Sequence, residues 1–193
     1  MVDAIGAQRV TLIGISSGGP AAIAYAARYP DRVDRLVLHA AQAGGYRYTT
    51  EERREMLVRS FDLFRHHWDQ PEVRGIMADM LNIQNEVMRS VGLEFLRISG
   101  DGPAIAGFME ATGRIDLRED AEAVRAPTLI IHGRDDTTVP YASSVELATW
   151  ISGARFELVP GLHIPDTSVE DMRYRTELIL DFLAESGSDG SSR

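Results

Sequence analysis

Residues Arg9–Pro20 read RVTLIGISSGGP, and the fold turns on how they are read. Val10–Ile13 is a short apolar run rich in β-branched residues, the pattern of a buried strand. The chain then turns through Gly14-Ile15-Ser16-Ser17-Gly18-Gly19. An Ala-rich helix follows, with Pro20 in its first turn, where a missing N–H costs little. Strand, sharp Gly-Ser turn and helix are the context that gives a G-x-S-x-G match chemical meaning. A side chain at the apex of such a turn needs small residues two positions to either side. Gly14 and Gly18 supply them around Ser16, whereas Ser17 has Ile15 two positions before it. Ser16 is therefore the candidate nucleophile. Ser17 offers its backbone N–H at a helix N-terminus, where the dipole favours a developing oxyanion. The competing reading is an ordinary glycine-rich turn or a phosphate cradle. Neither G-x-x-x-x-G-K-[ST] nor G-x-G-x-x-G is present, which weakens the phosphate version.

The 193 residues suffice for one domain with a sizeable core. Lys+Arg is 20 against 29 for Asp+Glu, a net charge of −9, so neither nucleic acid nor an anionic membrane is expected as a partner. The lack of cysteine excludes a disulfide framework and a thiolate metal site, and fits a reducing cytoplasm. No run of about 18 apolar residues exists that could span a membrane. The opening MVDAIGAQR lacks the basic and apolar regions of a signal peptide. It reads instead as the last turns of an amphipathic helix running into the first strand.

Ala21–Arg28 is a helix, and Leu36-Val37-Leu38 a second buried strand ending at His39. A histidine at a strand end is expected to be a hydrogen-bonded structural residue. From about residue 45 to 115 no strand-like alternation occurs. Leu57, Phe61, Phe64 and Trp68 recur at helical spacing, then Ile76, Met80, Ile83 and Val87, then Val91, Phe95 and Ile98. This stretch reads as a helical insertion of the kind that caps an active site, and most of its stripes are expected to bury themselves in a core. Met77, Met80, Met88 and Met109 are expected to line an adaptable apolar pocket. His66-His67 with Asp69 is a poor metal site, because adjacent residues point to different sides of a helix. Thr128–Ile131 is a third strand, uncharged and so buried on both faces. After it come the loop His132–Pro140, a helix over Ser143–Trp150, a fourth strand over Phe156–Val159 and a loop over Pro160–Pro165. The last helix, Val169–Leu183, carries Met172, Leu178, Ile179 and Phe182 as its apolar residues. Residues 1–185 form one domain and 186–193 a flexible polar tail.

Strands alternating with helices imply an α/β fold with a parallel sheet of about four strands. Ligands bind such sheets at the carboxyl ends of the strands. The loops leaving those ends carry Ser16, Asp135 or Asp136, and His163, in that order. A hydroxyl is a weak nucleophile until a base takes its proton. The base in turn needs a carboxylate to hold its tautomer. Neither a metal nor an organic cofactor is implied.

In these segments the chain resembles the α/β-hydrolase family over nearly its whole length. LIGISSGG at Leu12–Gly19 is similar to the family's nucleophile elbow, and RYPDRVDRLVLHA at Arg28–Ala40 to the passage that follows it. APTLIIHGRDDTTVP at Ala126–Pro140 is similar to the acid loop, and FELVPGLHIPD at Phe156–Asp166 to the base loop. The family's acid follows the glycine by three, which selects Asp136, and the base falls on His163. A looser resemblance links the chain to hydrolase-like domains of bacterial adenylate cyclases and transcriptional regulators. The resemblance implies a serine hydrolase acting on a carboxylic ester or similar acyl compound, with Ser16, His163 and Asp136 as triad and the Ser17 N–H in the oxyanion hole. It also implies a chain truncated at the N-terminus: the family's earlier strands, and the loop that gives a second oxyanion donor, have no counterpart here. Losing one such donor costs about 10²–10³ in rate. The elbow strand becomes an exposed apolar edge, expected to promote self-association. The alternative is a non-catalytic sensor or interaction domain of a longer signalling protein.

Overall fold

The computed structural model describes residues 2–83, 85–163 and 168–185. Its sheet has four parallel strands, β1 (Val10–Ile15), β2 (Val33–His39), β3 (Thr128–Gly133) and β4 (Arg155–Val159), in the order β1-β2-β3-β4. Helix α1 (Gly19–Arg28) joins β1 to β2. Between β2 and β3 lie α2 (Glu51–His67), α3 (Pro71–Met80), α4 (Glu86–Ser99), α5 (Gly102–Gly113) and α6 (Arg118–Ala123). Helix α7 (Tyr141–Trp150) joins β3 to β4, and α8 (Val169–Ala184) follows β4. Ile15 is level with His39, and His39 with Ile131, so the carboxyl ends of β1, β2 and β3 share one edge of the sheet.

Strand side chains alternate between faces, and each face has its own cover. Leu36, Leu38 and Ile130 pack with Ile23 of α1, Ala121 of α6 and Leu147 of α7. Val37, Leu129, Ile131 and Val159 pack under Phe182 of α8. All of β3 is buried, because it lies inside the sheet with helices on both sides. Each fully buried Leu or Ile contributes roughly 1.5–3 kcal/mol.

β1 is an edge strand, paired only with β2. Ile13 is 50% and Ile15 43% exposed, which corrects the reading of Val10–Ile13 as a buried strand. By register these two side chains share the face of Val37 and His39, and α8 covers that face over β2–β4 without reaching β1. The open apolar edge is thus a feature of the structure. The N-terminal segment also departs from expectation. Asp3–Ile5 is a single exposed 3-10 turn closed by Gly6 at φ 69°, with no amphipathic helix before β1. Arg32 ties it down by bonds to the Asp3 carboxylate and the Ala7 and Gln8 carbonyls.

The insertion has a core of its own. Phe61, Phe64 and Trp68 pack with Val73, Met77 and Ala106, and the Phe64 and Trp68 rings meet edge to face. Met80 and Met109 also pack against this cluster and Met88 lies on α4, so the expected methionine-lined pocket is not what these residues build. The second stripe does not run along one helix. Asn82 adopts φ 52° after α3, and the Asn85 side chain accepts the Met88 N–H to start α4 afresh. On α4, Val87, Val91, Phe95 and Ile98 are each 59–66% exposed, so this stripe is not part of a core among the described residues. Among those residues no helix is long and apolar enough to cross a membrane. Ile164–Thr167 and the expected tail lie outside them.

Candidate active site

Ser16 follows β1 with φ 50°, a left-handed conformation that costs a non-glycine residue about 1–3 kcal/mol. The turn is compressed because α1 starts hard against β1 and the end of β2. A Cβ on Gly14 would lie 2.8 Å from the Gly19 Cα and 2.9 Å from the Ala22 Cβ. One on Gly19 would overlap Ala41, whereas one on Gly18 would meet open space. The glycines this turn requires are therefore Gly14 and Gly19, not the symmetric Gly14 and Gly18. Ser17 is exposed and lies in the 3-10 turn Ser16–Gly18 that leads into α1, among the first N–H groups of the helical run, which lack an intrahelical acceptor.

Asp136 lies in the loop after β3. Its side chain is fully buried; Oδ1 accepts the N–H groups of Thr138 (2.8 Å) and Val139 (2.9 Å), and Oδ2 lies 2.8 Å from His163 Nδ1. Burial alone would push this carboxyl up. The His163 bond and charge, with the Val139 and Thr138 amides, outweigh burial and hold it below the usual carboxylate range. An ionised carboxylate only accepts, so Nδ1 carries the proton that faces it, and in the neutral imidazole Nε2 is then the nitrogen with the lone pair. Asp135 is exposed, and its N–H donates to the Gly161 carbonyl. Asp136 and His163 are thus brought together. Ser16 leaves the same edge of the sheet, but no hydrogen bond joins it to His163 among the described residues. The β4 loop must reach across three strand spacings of about 4.8 Å each to meet it, and such contacts are often loose in unliganded enzymes.

The loop before His163 is held tightly. Arg134 N–H donates to the Val159 carbonyl, and one nitrogen of Arg175 on α8 donates to both the Pro160 and Leu162 carbonyls at 2.9 Å. Gly133 makes room: a Cβ there would lie 2.7 Å from the Gly161 oxygen and 2.8 Å from the Leu162 oxygen. His132 Nδ1 lies 2.9 Å from Ser144 Oγ. His39, expected to be hydrogen-bonded, is buried with its Nε2 unpartnered among the described residues. Burial, and then the charge of Arg175, push its pKa down to about 3. Burial likewise lowers that of His132.

Two features escaped the reading of the sequence. Arg175 sits three residues after Met172, three before Leu178 and seven before Phe182, inside an apolar stripe, which was the available signal. The α3–α4 turn docks on the acid loop: Thr138 Oγ1 donates to the Leu81 carbonyl (3.1 Å) and Asn82 Nδ2 to Thr137 Oγ1 (2.7 Å). Nothing local announces these bonds. The cleft among Arg65, Trp68, Arg74 and Arg97 in the insertion contains none of the three candidate residues.

Ser16 on its strained turn and the His163–Asp136 pair all stand on loops at the carboxyl ends of the strands of one α/β sheet. The chain matches the alpha/beta hydrolase fold family over residues 1–165 and belongs to it. The 2-hydroxymuconate semialdehyde hydrolase of Pseudomonas putida is 31% identical over 201 residues, covering 96% of this chain and 66% of that protein. A non-heme haloperoxidase of Rhodococcus erythropolis is 29% identical over 177 residues, covering 84% of this chain and 63% of that one. Among solved structures, the enol-lactonase from Burkholderia xenovorans LB400 superposes with a TM-score of 0.74 at 28% identity, over 95% of this chain and 69% of that chain. The chain spans 63–66% of the length of the two curated relatives named.

Proposed function

We propose that this chain is a serine hydrolase of a carboxylic ester or similar acyl compound. The observation that carries the reading is the buried His163–Asp136 pair at the sheet edge where Ser16 stands on its strained turn. Ser16 Oγ attacks the acyl carbon while His163 Nε2 takes its proton. The oxyanion develops beside the Ser17 N–H at the start of α1. Collapse expels the alcohol, which receives the proton from His163. Water, deprotonated by His163, then releases the acid and restores Ser16. Asp136 stays ionised throughout and stabilises the imidazolium. A relative solved as an enol-lactonase supports an ester-like substrate. The lack of cysteine supports a cytoplasmic setting.

Fluorophosphonate labelling read by intact mass tests this. One adduct on the native chain, lost in Ser16→Ala at an unchanged circular dichroism spectrum, is the expected result. A well-folded chain that takes no adduct overturns the reading. It would favour a non-catalytic sensor or interaction domain, the alternative that the missing Ser16–His163 bond supports.

Exposed Ile13 and Ile15 on the unpaired edge of β1 support self-association as well. Sedimentation velocity should give more than the monomer mass, and Ile13→Arg should restore the monomer. A wild-type chain that is monomeric at all concentrations refutes this.

A further inference from the structure

We infer that Arg175 is a positioning residue for His163. The inference rests on the proposed triad and adds to it a residue on a separate helix. Arg175 is 3% exposed, on the face of α8 that packs against the sheet. Its Nη2 carries two N–H groups, and each meets one carbonyl, Pro160 and Leu162, at 2.9 Å. The Leu162 carbonyl belongs to the peptide that joins Leu162 to His163. Fixing that carbonyl sets the plane from which the His163 side chain departs, and so the angle at which Nδ1 approaches Asp136.

The clamp closes from the opposite side as well. Gly133 ends β3, and a Cβ there would lie 3.1 Å from Arg175 Nη2 as well as against the Gly161 and Leu162 oxygens. The Asp135 N–H holds the Gly161 carbonyl between the two that Arg175 holds. Three successive carbonyls before His163 are thus pinned, two by α8 and one by the acid loop. A methionine packs as well as arginine in an apolar stripe and needs no burial of charge. The arginine keeps a cation inside the molecule, and its bonds go to the base-bearing loop.

The test reads the His163 Nδ1 proton by imidazole-selective NMR, on a chain with five histidines, assigned through His163→Gln. Arg175→Met keeps the length and bulk of the stem and removes the donors. Phe182→Ala on the same helix, at a residue 4% exposed, weakens α8 docking without touching the loop. Both variants should lose stability to urea. In Arg175→Met the His163 signal should shift or broaden away, and fluorophosphonate labelling per folded molecule should slow by about 10²-fold, the cost of a misplacement near 1 Å. In Phe182→Ala both should stay at wild type. If Arg175→Met does not fold, Arg175→Leu, which also removes the donors, is read in its place. A His163 signal unmoved in the variant that folds, or moved equally in Phe182→Ala, overturns the inference. The NMR reading stands whether or not Ser16 reacts, so failure of the hydrolase reading shows separately, as a wild-type chain that takes no label.

Discussion

Asp136→Asn should slow acylation of Ser16 by about 10⁴-fold in a chain that remains folded. The size follows from which atoms of the new amide face which partners. The Thr138 and Val139 N–H groups point at Oδ1 and demand an acceptor, so the asparagine oxygen turns to them. Its NH2 then faces His163 Nδ1, where a carboxylate oxygen stood at 2.8 Å. A donor there forces Nδ1 to accept, and the imidazole proton moves to Nε2. That nitrogen can then no longer take the proton of Ser16. Labelling kinetics give the rate, and imidazole NMR gives the tautomer. A variant labelled near the wild-type rate would show that Asp136 does not set the base.

The native state should also be acid-sensitive through His39. This histidine is 2% exposed and its pKa is pushed down to about 3, while the unfolded chain takes up the proton near 6.5. Between those values the unfolded state binds one more proton than the native one, so stability falls as pH falls. The slope for this group is about 1.4 kcal/mol per pH unit, and the whole window amounts to about 5 kcal/mol. That equals the lower end of ordinary domain stability. The lowered pKa of His132 acts in the same direction. The carboxyl of Asp136, held low, adds its own loss only below the usual carboxylate range. Urea unfolding at steps between pH 7 and 4.5 should show this decline, and His39→Gln should flatten it by about one proton's worth. Equal slopes in the two chains would remove His39 as the cause.

Much of the fold could be read from neighbouring residues. The strand–turn–helix at Val10–Arg28 was legible because positive φ at a half-buried serine and close helix packing both demand small residues nearby. The stripe Leu57, Phe61, Phe64, Trp68 was legible because one helix face gathers every third or fourth residue, and Phe61 and Phe64 are indeed buried there. The α4 stripe has equal periodicity, yet Val91, Phe95 and Ile98 lie in the open. Asp136 was separated from Asp135 only by resemblance. In the structure the separation is made by two backbone amides and a histidine arriving from beyond β4.

The sequence by itself determined the period of the strands and of most helices, the order of Ser16, the Asp135-Asp136 pair and His163, and the edge of the sheet at which they emerge. These depend on residues within a turn or two of one another and on the parallel sheet that alternation imposes. Tertiary structure decided the rest: that Gly19 rather than Gly18 is indispensable, because Ala41 in the loop after β2 lies against it; that Ile13 and Ile15 stay bare, because α8 stops at β2; and that a buried Arg175 grips the loop of His163. Burial and hydrogen bonding are set by what stands opposite, and what stands opposite comes from residues far away in the chain.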